Sequence, residues 1–272
     1  MYLPDQAISY GPKEFFMQKF AVITGASKGL GKAFAQELAR RKINLILISL
    51  PEENLKQFGL QLKSTHPIEV ICFETDVTHT DKIVAITKEI NENYQVFFLI
   101  NNVGVGGSKK ITEVELSYIT TIIKTNIKAT AVFTHQLLAN LMNQDQSYIL
   151  NISSLAALTP LPYKTVYPAS KAFIRFFSKS LNLELKDTNT SVSLANLGPM
   201  PTNDDAKGRI DQHGFIGRLT LISPMDAARE CVTKTFKRKK VININRLSWL
   251  TLKIVPDWIK IPILTRAMKN DL

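Results

Sequence analysis

Phe20-Ala21-Val22-Ile23-Thr24-Gly25-Ala26-Ser27-Lys28-Gly29-Leu30-Gly31 is the stretch that decides the fold. Four apolar residues read as a buried strand, and a run of helical period follows the last glycine as far as Arg41. Glycines at 25, 29 and 31 let the chain turn sharply from strand to helix. They also let a pyrophosphate approach the first-turn N–H groups, where the helix dipole favours negative charge. The spacing differs from the ordinary Gly-x-Gly-x-x-Gly fingerprint. Taken alone, the turn serves close helix–strand packing as readily as phosphate binding.

Outward from this turn, short Val- and Ile-rich runs alternate with helical patterns. Strands are expected at 20–23, 44–48, 69–73, 96–100, 147–152, 192–196 and 241–244. Helices are expected at 31–41, 52–64, 81–93, 113–142, 168–186 and 224–237. This is the pattern of an α/β doubly wound parallel sheet of about seven strands with helices on both faces. The 272 residues suit one domain (1–272), with an N-terminal extension (1–18), a substrate lid (197–223) and an amphipathic C-terminal segment (246–272). Ligands of such sheets sit beyond the carboxyl ends of the strands.

Hydrophobic content of 45% and charged content of 21% are globular values, and no stretch is apolar enough to span a membrane. The first residues carry Asp5, Lys13 and Glu14 rather than a signal core, so a cytoplasmic protein is expected. Cys72 and Cys231 are isolated and read as reduced fillers. The four histidines show no metal spacing, and no metal is expected. A net charge of +11 attracts anionic partners, with its densest run at Lys237-Arg238-Lys239-Lys240 read as a solvated connection. No aromatic interleaving accompanies the charge, so no nucleic acid is expected.

Tyr167 and Lys171 are four apart in a helical segment opened by Pro168, on one face over adjacent turns. An ammonium about 5 Å from a phenolate, at an effective dielectric of about 20, stabilises it by roughly 3 kcal/mol. The expectation is therefore a tyrosine with a lowered pKa, usable as an acid/base near neutrality. A lone Tyr-x-x-x-Lys is also what surface salt-bridge geometry produces. Ser154 lies thirteen residues earlier, at the end of the fifth strand, and Asn126 sits inside a helical run that asparagine disfavours.

These motifs in this order resemble the short-chain dehydrogenases/reductases, in the branch with hydroxysteroid and long-chain acyl reductases. Thr24-Gly25-x-x-x-Gly29-x-Gly31 resembles the family's cofactor turn. Asn101-Asn102-Val103-Gly104 resembles its Asn-Asn-Ala-Gly motif, and Ser154 with Tyr167-x-x-x-Lys171 its catalytic residues. The likeness runs from about Phe20 to Asn245 and implies a Rossmann-type NAD(P)-dependent oxidoreductase, active as a homodimer or homotetramer. It implies a catalytic set of Asn126, Ser154, Tyr167 and Lys171, with Asn126 kinking its helix to hold a relay water. Its cofactor set is Thr24, Gly25, Ser27, Lys28, Gly29, Leu30, Gly31, Ser49, Asp76, Val77, Asn102, Val103, Gly104, Tyr167 and Lys171, together with Pro199 and Thr202 in the loop after the sixth strand. Asp76 would meet the adenine amine, although an acid at a helix N-terminus explains it equally well.

The second strand ends Ile48-Ser49-Leu50, lacking the acid that bonds the ribose of NAD and the arginine that many NADP users place there. Lys28 remains as a cation for a 2′-phosphate, so NADP(H) is favoured over NAD(H). Phe215, Ile216, Leu219, Leu221 and Ile222 make the lid apolar and suggest an apolar carbonyl or alcohol substrate, although the same residues would pack on the domain. The rival from another class is a nucleotide-sensing protein of the same fold without catalysis. Nucleotide-sugar epimerases share Tyr-x-x-x-Lys but differ in glycine spacing. In the tail, Leu247, Leu250, Ile254, Trp258 and Ile261 recur at helical spacing, broken by Pro256 and Pro262. Packing on the protein or a sister subunit is one reading of this segment, and peripheral contact with an anionic membrane is the other.

Overall fold

The computed structural model describes residues 19–198, 200 and 222–269. Seven strands form one parallel sheet in the order β3-β2-β1-β4-β5-β6-β7. They are β1 (Lys19–Thr24), β2 (Asn44–Ser49), β3 (Val70–Glu74), β4 (Gln95–Asn101), β5 (Ser147–Ser154), β6 (Thr190–Leu197) and β7 (Val241–Asn243). Leu45, Ile46, Leu47 and Ile48 are all fully buried, as expected where a strand is covered on both faces. The helices are α1 (Gly29–Arg40), α2 (Leu55–Thr65), α3 (Thr80–Asn93), α4 (Leu116–Ile122), α5 (Ala129–Met142), α6 (Val166–Glu184), α7 (Pro224–Phe236), α8 (Arg246–Ile254) and α9 (Asp257–Lys269).

Two apolar clusters sandwich the sheet. In one, Ala33, Phe34 and Leu38 of α1 pack with Ala227, Ala228, Cys231 and Val232 of α7, where small residues allow close approach. In the other, Ile83 and Ile90 of α3 meet Phe133 and Leu137 of α5. The chain lays β2 and β3 on one side of β1 and then returns to place β4 on the other. A crevice therefore opens beyond the carboxyl ends of β1 and β4, at Thr24 and Asn101.

The seven expected strands are present within a residue or two. The single helix expected at 113–142 is instead a 3₁₀ turn (Ile111–Glu113), α4, a π-helical segment (Ile123–Lys128) and α5. The C-terminal segment breaks once, at Val255-Pro256, and α9 runs through Pro262. Both cysteines are free, and burial pushes the Cys72 thiol up to about 11. Among the described residues no helix is long and apolar enough to cross a membrane.

Candidate active site

The glycine turn is held from below by the end of β4. The Thr24 hydroxyl accepts hydrogen bonds from Asn102 N (3.0 Å) and Val103 N (3.1 Å) and donates to the Ile100 carbonyl at 3.4 Å. Asn102 Nδ2 donates in turn to the carbonyls of Thr24 (3.0 Å) and Gly25 (3.2 Å). These two residues, expected among the cofactor contacts, therefore spend their side chains on locking β1 to β4. Leu30 likewise buries its side chain in the core, leaving its backbone N–H for a ligand.

Gly25 and Gly29 have φ of 67° and 53°, values that favour glycine. A Cβ on Gly31 would stand 1.8 Å from the Gly25 carbonyl oxygen and 2.7 Å from Asn102 Nδ2. The first turn of α1 has neither a side-chain cap nor an acid, so its N–H groups are available to an anion. A cradle that only glycine permits, at an uncapped helix start in the topological crevice, fits the pyrophosphate of a dinucleotide. Gly31→Ala is expected to destabilise the fold by about 2–3 kcal/mol in urea unfolding, because backbone rather than a flexible side chain must yield. Unfolding at the unmutated denaturant midpoint would contradict this close contact.

At the adenosine end the structure adds a residue absent from the sequence reading. Glu53, in the loop after β2, accepts hydrogen bonds from the Ser27 hydroxyl and from Lys28 Nζ at 2.6 Å. Burial pushes the Glu53 carboxyl up, but Lys28, Ser27 and Ser49 outweigh it and hold it below the ordinary carboxylate value. Lys28, the cation assigned to a 2′-phosphate, is thus engaged by an acid. Its side chain remains 73% exposed.

Asp76 Oδ1 accepts from Thr78 N at 2.9 Å, closing a small turn two residues after the end of β3. Burial raises this carboxyl, and Thr78, His79 and Lys82 more than offset that, leaving it below its usual value. Val77 beside it is buried in the core. Pro199 and Thr202 lie outside the described residues, as do Phe215, Ile216, Leu219 and Leu221 of the expected lid. Gly198 approaches Asn245 and Leu155, and Met200 and Ile222 pack on the core.

Ser154, Tyr167 and Lys171 converge where β5 meets α6. Ser154 caps the 3₁₀ turn Leu155–Leu158, its Oγ accepting from Ala156 N at 3.1 Å, and it shares a hydrogen bond with Tyr167. The neighbouring Ser153 donates to the Lys171 carbonyl at 2.9 Å and is committed to holding α6. Lys171 is 5% exposed and donates to the Ile152 carbonyl at 3.0 Å. Its Nζ lies 5.9 Å from the Tyr167 ring centroid. Gly104 lets the backbone come within contact of Lys171 Nζ and Asn126 Oδ1. Gly106, another residue the sequence reading missed, lies against the Tyr167 ring, which a Cβ there would meet at 2.8 Å.

Burial pushes the Tyr167 phenol above its ordinary value, with the Ser154 hydrogen bond acting against it. Burial also pushes Lys171 down to about 8. The lowered tyrosine expected from the Lys171 charge is therefore corrected. Low-polarity surroundings penalise the phenolate, and the ammonium is directed at the Ile152 carbonyl.

Asn126 sits in the π-helical segment, an irregularity of the kind that bends helices. Its Oδ1 accepts from Val105 N at 2.8 Å, and its Nδ2 donates to the Val105 carbonyl and the Ser170 hydroxyl, each at 2.9 Å. Both amide hydrogens are used, so the side chain pins the loop after β4 to α6. Its partner Ser170 was not anticipated. Among the described residues no group of three or more His, Cys, Asp or Glu side chains is placed to hold a metal ion.

Comparison with known proteins bears on the family and the fold. The chain is 36% identical over 173 residues to very-long-chain 3-oxoacyl-CoA reductase-A of Danio rerio, an alignment covering 62% of this chain and 54% of that protein. It thus matches about half the length of that relative. It is 27% identical over 262 residues to the human inactive hydroxysteroid dehydrogenase-like protein 1, covering 93% of this chain and 78% of that one. A Burkholderia phymatum short chain dehydrogenase/reductase, crystallised with NAD, superposes with a TM-score of 0.77 at 23% identity over 88% of this chain and 93% of its own. The short chain dehydrogenase family matches residues 19–212, and the chain belongs to it.

Proposed function

We propose that this chain is an NAD(P)-dependent oxidoreductase that interconverts a carbonyl and an alcohol on an apolar substrate, working chiefly as a reductase. The observation that carries this reading is the convergence of Ser154, Tyr167 and Lys171 beside the glycine cradle at the carboxyl end of the sheet. A bound nicotinamide cofactor supplies the hydride for reduction and accepts it in the reverse direction. The phenol of Tyr167 gives its proton to the substrate oxygen, and Ser154 donates a hydrogen bond to the same atom. Lys171 stabilises the phenolate left behind, and Asn126 and Gly106 fix the loop and ring that aim these groups. A phenol held above its ordinary value is neutral at physiological pH, which is the form a proton donor needs.

The rival reading, a nucleotide sensor of the same fold, gains some support from a relative named as inactive. It gives no use for a lysine buried at an energetic cost beside a tyrosine. Following NADPH and NADH consumption with a panel of aldehydes, ketones and acyl thioesters separates the two. Cofactor binding with no turnover of any class would favour the sensor. The apolar substrate reading draws on the name of the zebrafish relative and on the apolar composition of 215–222.

NADP(H) remains the favoured cofactor on the strength of Lys28, but Glu53 competes for that cation and tempers the preference. Two variants are expected to move it in opposite directions. Lys28→Ala should shift the ratio of dissociation constants toward NADH by about fivefold, the roughly 1 kcal/mol expected of an exposed charge-assisted contact. Glu53→Gln should shift it toward NADPH by a similar factor, since it removes a carboxylate from the neighbourhood of the 2′-phosphate. Titration by cofactor fluorescence measures both, and unchanged ratios in both variants would place the 2′ position elsewhere.

The chain reads as one catalytic domain that works in the cytoplasm as a homodimer or homotetramer. Phe173, Phe176 and Leu183 are exposed on one side of α6, at 38%, 69% and 66%, and supply an apolar face for a second copy.

A further inference from the structure

We propose that α8, α9 and the basic connection before β7 form a docking face for an anionic lipid bilayer along the β7 edge of the sheet. Leu250 and Ile254 on α8 and Trp258 and Ile263 on α9 are 45%, 67%, 77% and 65% exposed. Leu250 and Ile254 lie one turn apart on α8, and beyond the Pro256 break Trp258, Ile259 and Ile263 are exposed on α9. Single exposed apolar side chains are ordinary, but five on two consecutive helices, a tryptophan among them, are the composition of a contact surface.

Charge says what covers these side chains. Between residues 237 and 269 the sequence holds nine basic side chains and a single acid, Asp257, which accounts for eight of the net charge of +11. Asp257 is itself paired with Lys260 at 2.8 Å. Lys237, Arg238, Lys239, Lys240, Lys253, Arg266 and Lys269 are exposed. The fold also brings the basic connection and the helices together. Lys239 and Lys234 line an open cavity of about 340 Å³ with Val241, Asn243, Trp249 and Leu250, and Lys253 Nζ lies 5.1 Å from the Trp249 ring. Exposed cations among exposed apolar side chains that include tryptophan match a surface of anionic headgroups over acyl chains. A nucleic acid would use the cations but leave the apolar side chains in water, and a second basic copy would meet like charge.

The face is continuous with the catalytic site. Asn245, which caps α8 by accepting from Ser248 N at 3.0 Å, lies beside Gly198 in the loop after β6. The α8 helix also packs on the 3₁₀ turn that follows Ser154. Docking by this face would lay the β7 edge of the sheet on the bilayer, with α8 bringing its carboxyl side near the membrane, where a lipid-soluble substrate resides. This consequence for substrate delivery rests on the reductase reading given above, whereas the docking itself does not.

Sedimentation with vesicles tests it, using the full chain with phosphatidylcholine alone or with about a third phosphatidylserine. The expected result is partitioning onto the anionic vesicles at low salt, falling at least tenfold in 0.5 M salt as the cations are screened. Replacing Lys237, Arg238, Lys239 and Lys240 by Gln should lower partitioning at least tenfold, since each surface cation contributes about fivefold. The double variant Ile254→Asp with Trp258→Asp should lower it comparably while the circular dichroism spectrum and cofactor affinity stay unchanged. Absence of binding to anionic vesicles at low salt overturns the proposal. So does equal binding to phosphatidylcholine alone, binding that ignores the Ile254/Trp258 change, or a dimer in sedimentation equilibrium that dissociates in that variant without any vesicle binding. Retained vesicle binding with no turnover of any carbonyl would count against the reductase reading and leave the docking intact.

Discussion

Tyr167→Phe is expected to lower the rate of carbonyl reduction by about 10²- to 10⁴-fold, the usual cost of losing a positioned general acid. The substitution removes one oxygen and leaves the ring in place against Gly106. What disappears is the proton donor and its hydrogen bond with Ser154, so stability should change by no more than about 1 kcal/mol. Cofactor affinity should hardly move, because the glycine cradle lies on β1 and α1. The pH dependence carries the same signature. Reduction needs the neutral phenol, which burial favours, so its rate should be flat across neutral pH. Alcohol oxidation needs the phenolate and should climb as pH rises. A Tyr167→Phe enzyme within about tenfold of the unmutated rate, or an oxidation rate that falls with pH, would remove Tyr167 from proton transfer.

Much of this architecture is legible in the sequence because it depends on local physics. The run from Phe20 to Gly31 combines a strand with glycines at positions where the backbone either turns to positive φ or admits no Cβ, and residue type reports both. The parallel sheet is legible because strands covered on both faces must be apolar at nearly every position, as Leu45 to Ile48 are. What escapes is whatever depends on distant parts of the chain meeting. Glu53 reaches the glycine turn because the loop after β2 curls back through Glu52 and Asn54, at φ of 67° and 54°, which no periodicity announces. Asn126 stands out as an unusual helix residue, but Ser170, its partner, is 44 residues away. The direction of the Tyr167 shift is missed for a related reason. Spacing counts the lysine one turn away but not the protein that excludes water from both groups.

That burial makes Lys171 a group the fold carries at a cost, and Lys171→Met is expected to show it. Burial lowers the ammonium from its ordinary 10.5 to about 8, so the folded protein binds this proton less tightly than the unfolded chain does. Below pH 8 the folded state therefore gives up about 3 kcal/mol relative to a lysine left in water. The penalty shrinks as pH rises through 8 and is gone above about 10.5, so this group alone makes stability increase with pH across that window. Methionine has a similar length and no charge. It also forfeits the hydrogen bond to the Ile152 carbonyl, worth about 1 kcal/mol, leaving a net gain of about 2 kcal/mol near neutrality. The variant should melt at a higher temperature than the unmutated protein at pH 7, and the difference should vanish near about pH 10 and reverse slightly above it, where only the lost hydrogen bond remains. Reduction should fall by at least about 10²-fold, since the phenolate formed at Tyr167 loses the ammonium that stabilises it. Both readouts are needed together. Lost activity with lowered stability at every pH would make Lys171 a structural anchor through Ile152, whereas lost activity with raised stability identifies a charge that is kept for chemistry at the expense of the fold.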